Sequence, residues 1–428
     1  MTLIVKGVYR KVDVYVYHAA IEATDRPRMS VANHFGGFAD PLLLVYAAPR
    51  LPRIIARDVI WKFPPVSWVM DWVGAIPVHK PEDRGAGSND VMFASAYGAL
   101  EEGSHLMIFP EGITRDEPSI APIKTGAARI VLGARAKGIE GIQITPVGIY
   151  YENKASLRSD VSIQIGAPIN LDAEIDRFVA PGADDGPENR EAVRGLTDDI
   201  EAQLRHVAPD FSDWEEARTM SDGAEILLRS LADDPAEPVP LAARDYVAGY
   251  LGRRPESGRE KLTTSVGSYQ QELSDLGLTD AQLLSGMTGR HFLWRLIGWL
   301  ILSVVLLPFA FVGVVINWIP YLIVKAVGLM RAAPAMMATV KPLTAIAAFG
   351  ITWGVTIWAV FRTVGAAGAV LGALLMPVYL GAVIVFVERV QALWTAFRAW
   401  RRLSSVTEVE RFIESRRSGV VENLVETL

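Results

Sequence analysis

Short apolar runs and amphipathic stretches alternate along the first 170 residues. Met29–Ala32, Arg53–Ala56, Ala75–Val78, Leu106–Phe109, Ile144–Tyr150 and Val161–Ile165 have the length and β-branched content of strands. Asp40–Ala48, Val91–Glu102 and Thr125–Ala136 carry helical spacing between them. Strands alternating with helices predict an α/β domain, a mostly parallel sheet flanked by helices. From Asp172 to about Arg290 the chain turns acidic, polar and helical, interrupted by clusters such as Pro181–Pro187. This reads as a helical accessory region without chemistry of its own.

Beyond Arg295 the pattern changes again. Leu296–Val324, Pro342–Phe361 and Thr363–Val387 contain no charged residue. About 20 helical residues cross a bilayer, so the last two runs predict a hairpin of spans with Arg362 at its tip. The first run is long for one crossing and short for two, which predicts a re-entrant segment or a pair of short helices broken near Pro308. Arg290 and Arg295 precede that run, Lys325, Arg331 and Lys341 follow it, and Arg389, Arg398, Arg401 and Arg402 follow the last. The preference of cations for the cytoplasmic side then predicts an even number of crossings, with both termini and the catalytic domain cytoplasmic. Buried helices of a large soluble core are the competing reading, and a soluble helix rarely stays uncharged around its whole circumference. The domains expected are therefore 1–210 (α/β), 211–290 (accessory), 291–403 (membrane-embedded, with segment 296–324 and hairpin 342–387) and 404–428 (cytoplasmic tail).

Composition narrows the functional classes. Half of the 428 residues are hydrophobic, mean hydropathy is +0.24 and the formal charge is −6, which argues against general nucleic-acid binding. The absence of cysteine removes disulfides, thiolate metal sites and any acyl-cysteine intermediate. The opening Met1–Lys6 lacks the apolar core of a signal peptide, which is consistent with a cytoplasmic N-terminal domain. No Walker A loop, dinucleotide fingerprint or Gly-x-Ser-x-Gly elbow is present.

Chemistry concentrates in Asn33-His34-Phe35-Gly36-Gly37-Phe38-Ala39-Asp40. A histidine beside a carboxylate is a general base with its orienting partner. On an ideal helix a six-residue offset rotates the side chains about 240° apart, so they meet only across a non-helical bend, which Gly36 and Gly37 allow. Asp40 is then expected to cap the following helix while its second oxygen orients the imidazole. A second signature, Phe109-Pro110-Glu111-Gly112, follows a strand-like run. Gly74–Lys80 lies between the two, and Thr145–Ile149 lies beyond them. Pairing His79 with His34 and Asp40 in a metal site is disfavoured, since no spaced ligand set accompanies them.

These four blocks, in this order, resemble the glycerolipid acyltransferase family, the glycerol-3-phosphate and 1-acylglycerol-3-phosphate acyltransferases, over roughly residues 28 to 210. The family usually has four residues between histidine and aspartate and this chain has five, as in a subset of glycerol-3-phosphate acyltransferases. The resemblance implies O-acyl transfer in phospholipid biosynthesis, from acyl-CoA or acyl carrier protein to glycerol-3-phosphate or lysophosphatidate, without a cofactor. It implies that His34 is the base, with Asp40 its partner, and that Glu111 and Gly112 help hold the acceptor. Lys80, Arg115, Lys124 and Arg129 are the cations available for its phosphate. The competing function is a non-catalytic membrane lipid-binding or scaffolding protein that retains the fold.

Overall fold

The computed structural model describes all residues except 1, 18–25, 63, 80–88, 236, 285–288, 331–333, 404–406 and 428. The chain forms two compact units. The first comprises Met1–Arg218, Pro240–Arg253 and Ala333–Thr339, and the second Thr219–Val239, Arg254–Ala332 and Val340–Leu428.

The first unit runs α1 (Thr2–Val8), β1 (Tyr9–Val16), β2 (Arg28–Ala32), α2 (Ala39–Ala47), β3 (Arg53–Arg57), α3 (Pro64–Trp72), β4 (Ile76–Val78), α4 (Asp90–Glu101), β5 (His105–Ile108) and α5 (Gly126–Ala136). It continues through β6 (Gln143–Tyr151), β7 (Ser159–Ile165), β8 (Ile169–Asn170), α6 (Leu171–Glu174) and α7 (Arg190–Val207). The strands lie in the order β1-β7-β6-β2-β5-β3-β4, with β8 added to β6. Neighbours are parallel from β6 through β2, β5 and β3 to β4, and β1 is parallel to β7. Among the described residues only the β6–β7 and β6–β8 pairings are antiparallel. The parallel sheet read from the sequence is therefore present, with β1 as an addition. Its Tyr-Arg-Lys-Val-Asp-Val-Tyr-Val is half exposed along an edge and shows too little apolar contrast to read as a buried strand.

The central strands are buried along their length, as parallel strands covered on both faces must be. One core packs Met29, Val31, Leu106 and Ile144 against α4, α5 and α7. The other packs Ala32, Met107, Val147 and Ile149 against α1 and α2. The carboxyl ends of β2, β5, β3 and β4 share one edge, where ligand sites of open α/β sheets form.

The second unit contains most of α8 (Trp214–Leu231), which enters it from the first, then α10 (Glu256–Leu276) and α11 (Asp280–Leu284). The intervening α9 (Leu241–Gly252) belongs with the sheet, where Asp245 accepts a hydrogen bond from Ser162. Three long apolar helices follow, α12 (Gly289–Gly328), α13 (Pro334–Val364) and α14 (Ala366–Leu403), before α15 (Thr407–Thr427). Each of the three is long and apolar enough to cross a membrane. The segment expected to be re-entrant or broken near Pro308 is instead part of one continuous helix holding both Pro308 and Pro320. Proline removes one helical hydrogen bond, and a long apolar helix tolerates that loss. The Trp299 ring lies 6.0 Å from Phe386 and the Phe309 ring 6.4 Å from Tyr379, so α12 and α14 run antiparallel. At their closest approach Gly313 lies against the backbone of Tyr379, leaving no room for a side chain.

Candidate active site

The site begins where β2 ends. Asn33 extends the β2–β6 ladder through its side chain, donating to the Ile149 carbonyl at 3.1 Å and accepting from its N–H at 2.7 Å. That clamp fixes the backbone immediately before His34. The chain then bends through Phe35–Phe38, with Gly37 at φ +59°, a conformation that favours glycine. Helix α2 starts at Ala39, one residue earlier than expected. Asp40 therefore sits inside the first turn and is not the cap, and Phe38 occupies that position without a side-chain cap bond.

Asp40 is fully buried and its carboxylate is met on both oxygens. Oδ2 accepts from His34 Nδ1 at 2.8 Å and from the Gly36 N–H at 2.8 Å. Oδ1 accepts from the Tyr151 hydroxyl. Burial first, then the charge of Asp40, holds the Tyr151 phenol well above its ordinary range, so Tyr151 remains a protonated donor. Gly36 serves by its smallness. A Cβ there would lie 2.5 Å from the Tyr151 hydroxyl and 2.7 Å from Asp40 Oδ1. The bend and Gly36's missing side chain let residues six apart meet, as the spacing argument required. Tyr151 was not legible as a partner. It lies one residue past the strand read from the sequence, although its two-residue phase with Val147 and Ile149 puts it on the α2 face.

His34 stacks on Phe109, with centroids 4.2 Å apart and planes 19° from parallel. Its side chain is 20% exposed. With Nδ1 directed at Asp40, Nε2 is the ring position left to exchange a proton with a ligand.

The Phe-Pro-Glu-Gly segment is a brace for this loop. Glu111 is buried, and its Oε1 accepts from the His34 N–H and its Oε2 from the Ala121 N–H, both at 2.9 Å. Burial pushes the Glu111 carboxyl up, against the pull of those two backbone donors. Both oxygens are thus committed to backbone, which gives Glu111 a positioning geometry where the resemblance implied acceptor contact. Gly112 has φ +67°, and Lys124 lies across it, its Nζ 3.0 Å from where a Cβ would be. The Arg115 N–H donates to the His34 carbonyl at 3.3 Å, while its guanidinium pairs with Glu117.

The structure therefore gathers His34, Asp40, Glu111, Gly112, Arg115 and Lys124 at the ends of β2 and β5. Arg129 points elsewhere, over the Phe93 ring at 5.2 Å and 3.5 Å from Glu188. Lys80 lies outside the described residues. Two further groups reach the loop from a distance in sequence. Lys154 lies 6.0 Å from the Phe35 ring and pairs with Asp116 at 2.5 Å. Thr339 accepts from the Phe38 N–H at 3.1 Å.

Residues 13–150, the span holding every group at this site except Tyr151, Lys154 and Thr339, match the family model described as Acyltransferase. This stretch is what the chain shares with acyltransferases. The chain is 26% identical over 197 residues to glycerol-3-phosphate O-acyltransferase 2 of Saccharomyces cerevisiae, covering 46% of this chain and 26% of that protein. It is 27% identical over 186 residues to glycerol-3-phosphate O-acyltransferase 1 of the same organism, covering 42% and 24%. The chain thus spans about a quarter of the length of these curated relatives. The crystal structure of the 1-acyl-sn-glycerophosphate (LPA) acyltransferase PlsC from Thermotoga maritima matches at 20% identity and a TM-score of 0.32, over 45% of this chain and 71% of that one. In the acyltransferase domain, His34 is placed by β2, its carboxylate by α2 and the brace by the loop after β5.

Proposed function

We propose that the chain transfers a fatty acyl group from an acyl thioester, acyl-CoA or acyl carrier protein, to a hydroxyl of a glycerol phosphate acceptor. The acceptor is glycerol-3-phosphate or lysophosphatidate, and the names of the curated relatives support the former. The observation that carries the reading is the His34–Asp40 pair, with its buried carboxylate saturated by donors.

His34 Nε2 takes the proton of the acceptor hydroxyl as its oxygen attacks the thioester carbonyl carbon. Asp40 holds the ring by Nδ1–H and offsets the imidazolium charge that forms. The C–S bond then breaks, and the departing sulfur takes its proton back from Nε2. The products are the ester and a free thiol, with no redox change. Tyr151 and the Gly36 N–H keep Asp40 aimed, and Glu111 keeps His34 aimed. Lys124 and Arg115, the cations beside the pair, would hold the acceptor phosphate, and the resemblance adds Lys80 to that set. Acyl transfer by the purified full chain in lipid vesicles, with each labelled acceptor, tests the reading. Ester product that disappears in His34→Ala supports it. Unchanged turnover in that variant rejects the base assignment, and absence of product with either acceptor rejects the reaction.

The chain is further proposed to be a multi-pass membrane protein with the acyltransferase domain on the cytoplasmic face. Helix α15 packs on the elements that precede α12. Arg417 pairs with Asp280 at 2.8 Å, Tyr269 donates to the same carboxylate at 2.7 Å, and Arg416 pairs with Glu272 at 2.9 Å. These contacts support one side for the chain before the first apolar helix and after the last, and with it an even number of crossings. The antiparallel α12 and α14 supply two. Arg389, Arg398 and Arg401, which follow the uncharged run within α14, support the cytoplasm as that shared side. The chain lacks cysteine, so Ser257→Cys and Ser418→Cys report directly. Both should react with an impermeant thiol reagent only after permeabilisation, and labelling of either one in intact cells would overturn the topology.

A further inference from the structure

Helix α3 has an outer face that nothing in the acyltransferase reaction uses. Trp68, Val69 and Trp72 are 71%, 56% and 80% exposed, and their spacing puts them on one side of the helix. A protein surface rarely leaves two neighbouring tryptophans in water without a partner. Trp72 also forms one wall of a cavity of about 380 Å³ whose other walls include Arg50, Arg53, Glu102 and His105. Arg53 lies 3.4 Å from Glu102, and Arg50 adds a second guanidinium at the rim. Arg28, buried beneath, is pushed down by burial and by the charge of Arg50, which marks the neighbourhood as crowded with positive charge. Arg57 and Lys62, exposed, flank the chain leading into α3. The nearby acids are spoken for, Asp58 by His79 and Asp71 by the Trp61 indole N–H.

Tryptophan flanked by arginine and lysine is the chemistry of the bilayer interface. The indole ring prefers the headgroup level, and the cations meet lipid phosphates. The chain also carries helices apolar enough to sit in a membrane, so a bilayer is within its reach. We propose that α3 is an interfacial docking element for an anionic phospholipid bilayer, with Trp68, Val69 and Trp72 entering the headgroup boundary and Arg50 and Arg53 taking lipid phosphates at the adjoining cavity. The proposal rests on the reading of the apolar helices as membrane helices.

The test uses the full chain in vesicles of mixed zwitterionic and anionic phospholipid. Trp68→Cys and Trp72→Cys, each in the cysteine-free background, receive an environment-sensitive fluorophore, and Arg194→Cys on exposed α7 is the control. Blue-shifted emission and quenching by brominated lipids at 68 and 72, with neither at 194, is the expected result. Arg50→Gln should weaken that quenching in anionic vesicles toward the level seen in purely zwitterionic ones. Protein that floats with the vesicles while labels at 68 and 72 behave like the label at 194 overturns the docking proposal and leaves the membrane helices standing. Protein that fails to float overturns both. Disulfide cross-linking between copies through Trp72→Cys, without lipid quenching, assigns the face to a second copy and likewise overturns the proposal.

Discussion

His34 and His79 each follow a parallel strand and each reach an aspartate through Nδ1, at 2.8 Å from Asp40 and 2.9 Å from Asp58. Distance alone does not separate them; their surroundings do. Asp40 is fully buried and receives three donors, two of which, Tyr151 and Gly36, are independent of the histidine. Asp58 opens the half-buried 3-10 turn Asp58–Lys62, its side chain is 29% exposed, and its carboxyl is held below the usual range chiefly by the His79 hydrogen bond. His34 is braced by Glu111 and stacked on Phe109. His79 is fixed through its backbone, by the Asn89 amide at 3.1 and 3.2 Å. A solvated pair exchanges its partner for water at little cost, whereas a buried and saturated carboxylate keeps one orientation. The comparison teaches that the second layer of contacts makes the first pair a base and the other a surface contact.

The sharpest way to break that contrast is Asp40→Asn beside Asp58→Asn. The first should lower the acyl-transfer rate by roughly 10²–10⁴, the range a positioned general base supplies, and the second by less than about tenfold. Equal losses would dissolve the distinction. Gly36→Ala presses a methyl group onto Tyr151 and Asp40. It should cost about 1–3 kcal/mol of stability and on the order of tenfold to a hundredfold in rate, read by denaturant unfolding and turnover. Glu111→Gln keeps one acceptor oxygen and turns an amide toward a backbone N–H. About 1–3 kcal/mol of stability should go, with a fall in kcat larger than any rise in KM, since the brace acts through His34.

A third histidine sharpens the contrast from the opposite end of the strands. His105 meets Ser30 at 2.7 Å instead of a carboxylate, and burial, then Arg28, lowers it from 6.5 to about 4. The folded protein thus binds fewer protons than the unfolded chain between those values. Its contribution is fully present above pH 6.5 and is lost as pH falls toward 4, amounting to at most about 3 kcal/mol. His105→Gln should flatten the unfolding midpoint over that window, and an unchanged pH slope would contradict the burial.

Much of this arrangement was legible in the sequence. The runs ending at Ala32, Val78, Phe109 and Tyr150 gave strands within a residue or two, and the Gly36–Gly37 bend predicted the meeting of His34 with Asp40. What stayed hidden depended on long separations. Tyr151 reaches Asp40 across 111 residues, and the Glu111 brace depends on where Ala121 returns. Arg129 looked like a phosphate ligand by composition, but its helical phase turns it toward Phe93. The unbroken α12 shows that a proline in an apolar run marks a possible break without requiring one.

The most direct measurement compares His34→Ala with His79→Ala in the same vesicles, scoring initial rates of acyl transfer to glycerol-3-phosphate and to lysophosphatidate. A loss of roughly 10³ or more in the first variant and near-intact rates in the second is the outcome predicted here. Comparable rates in the two variants, or a deeper loss at His79, would contradict it.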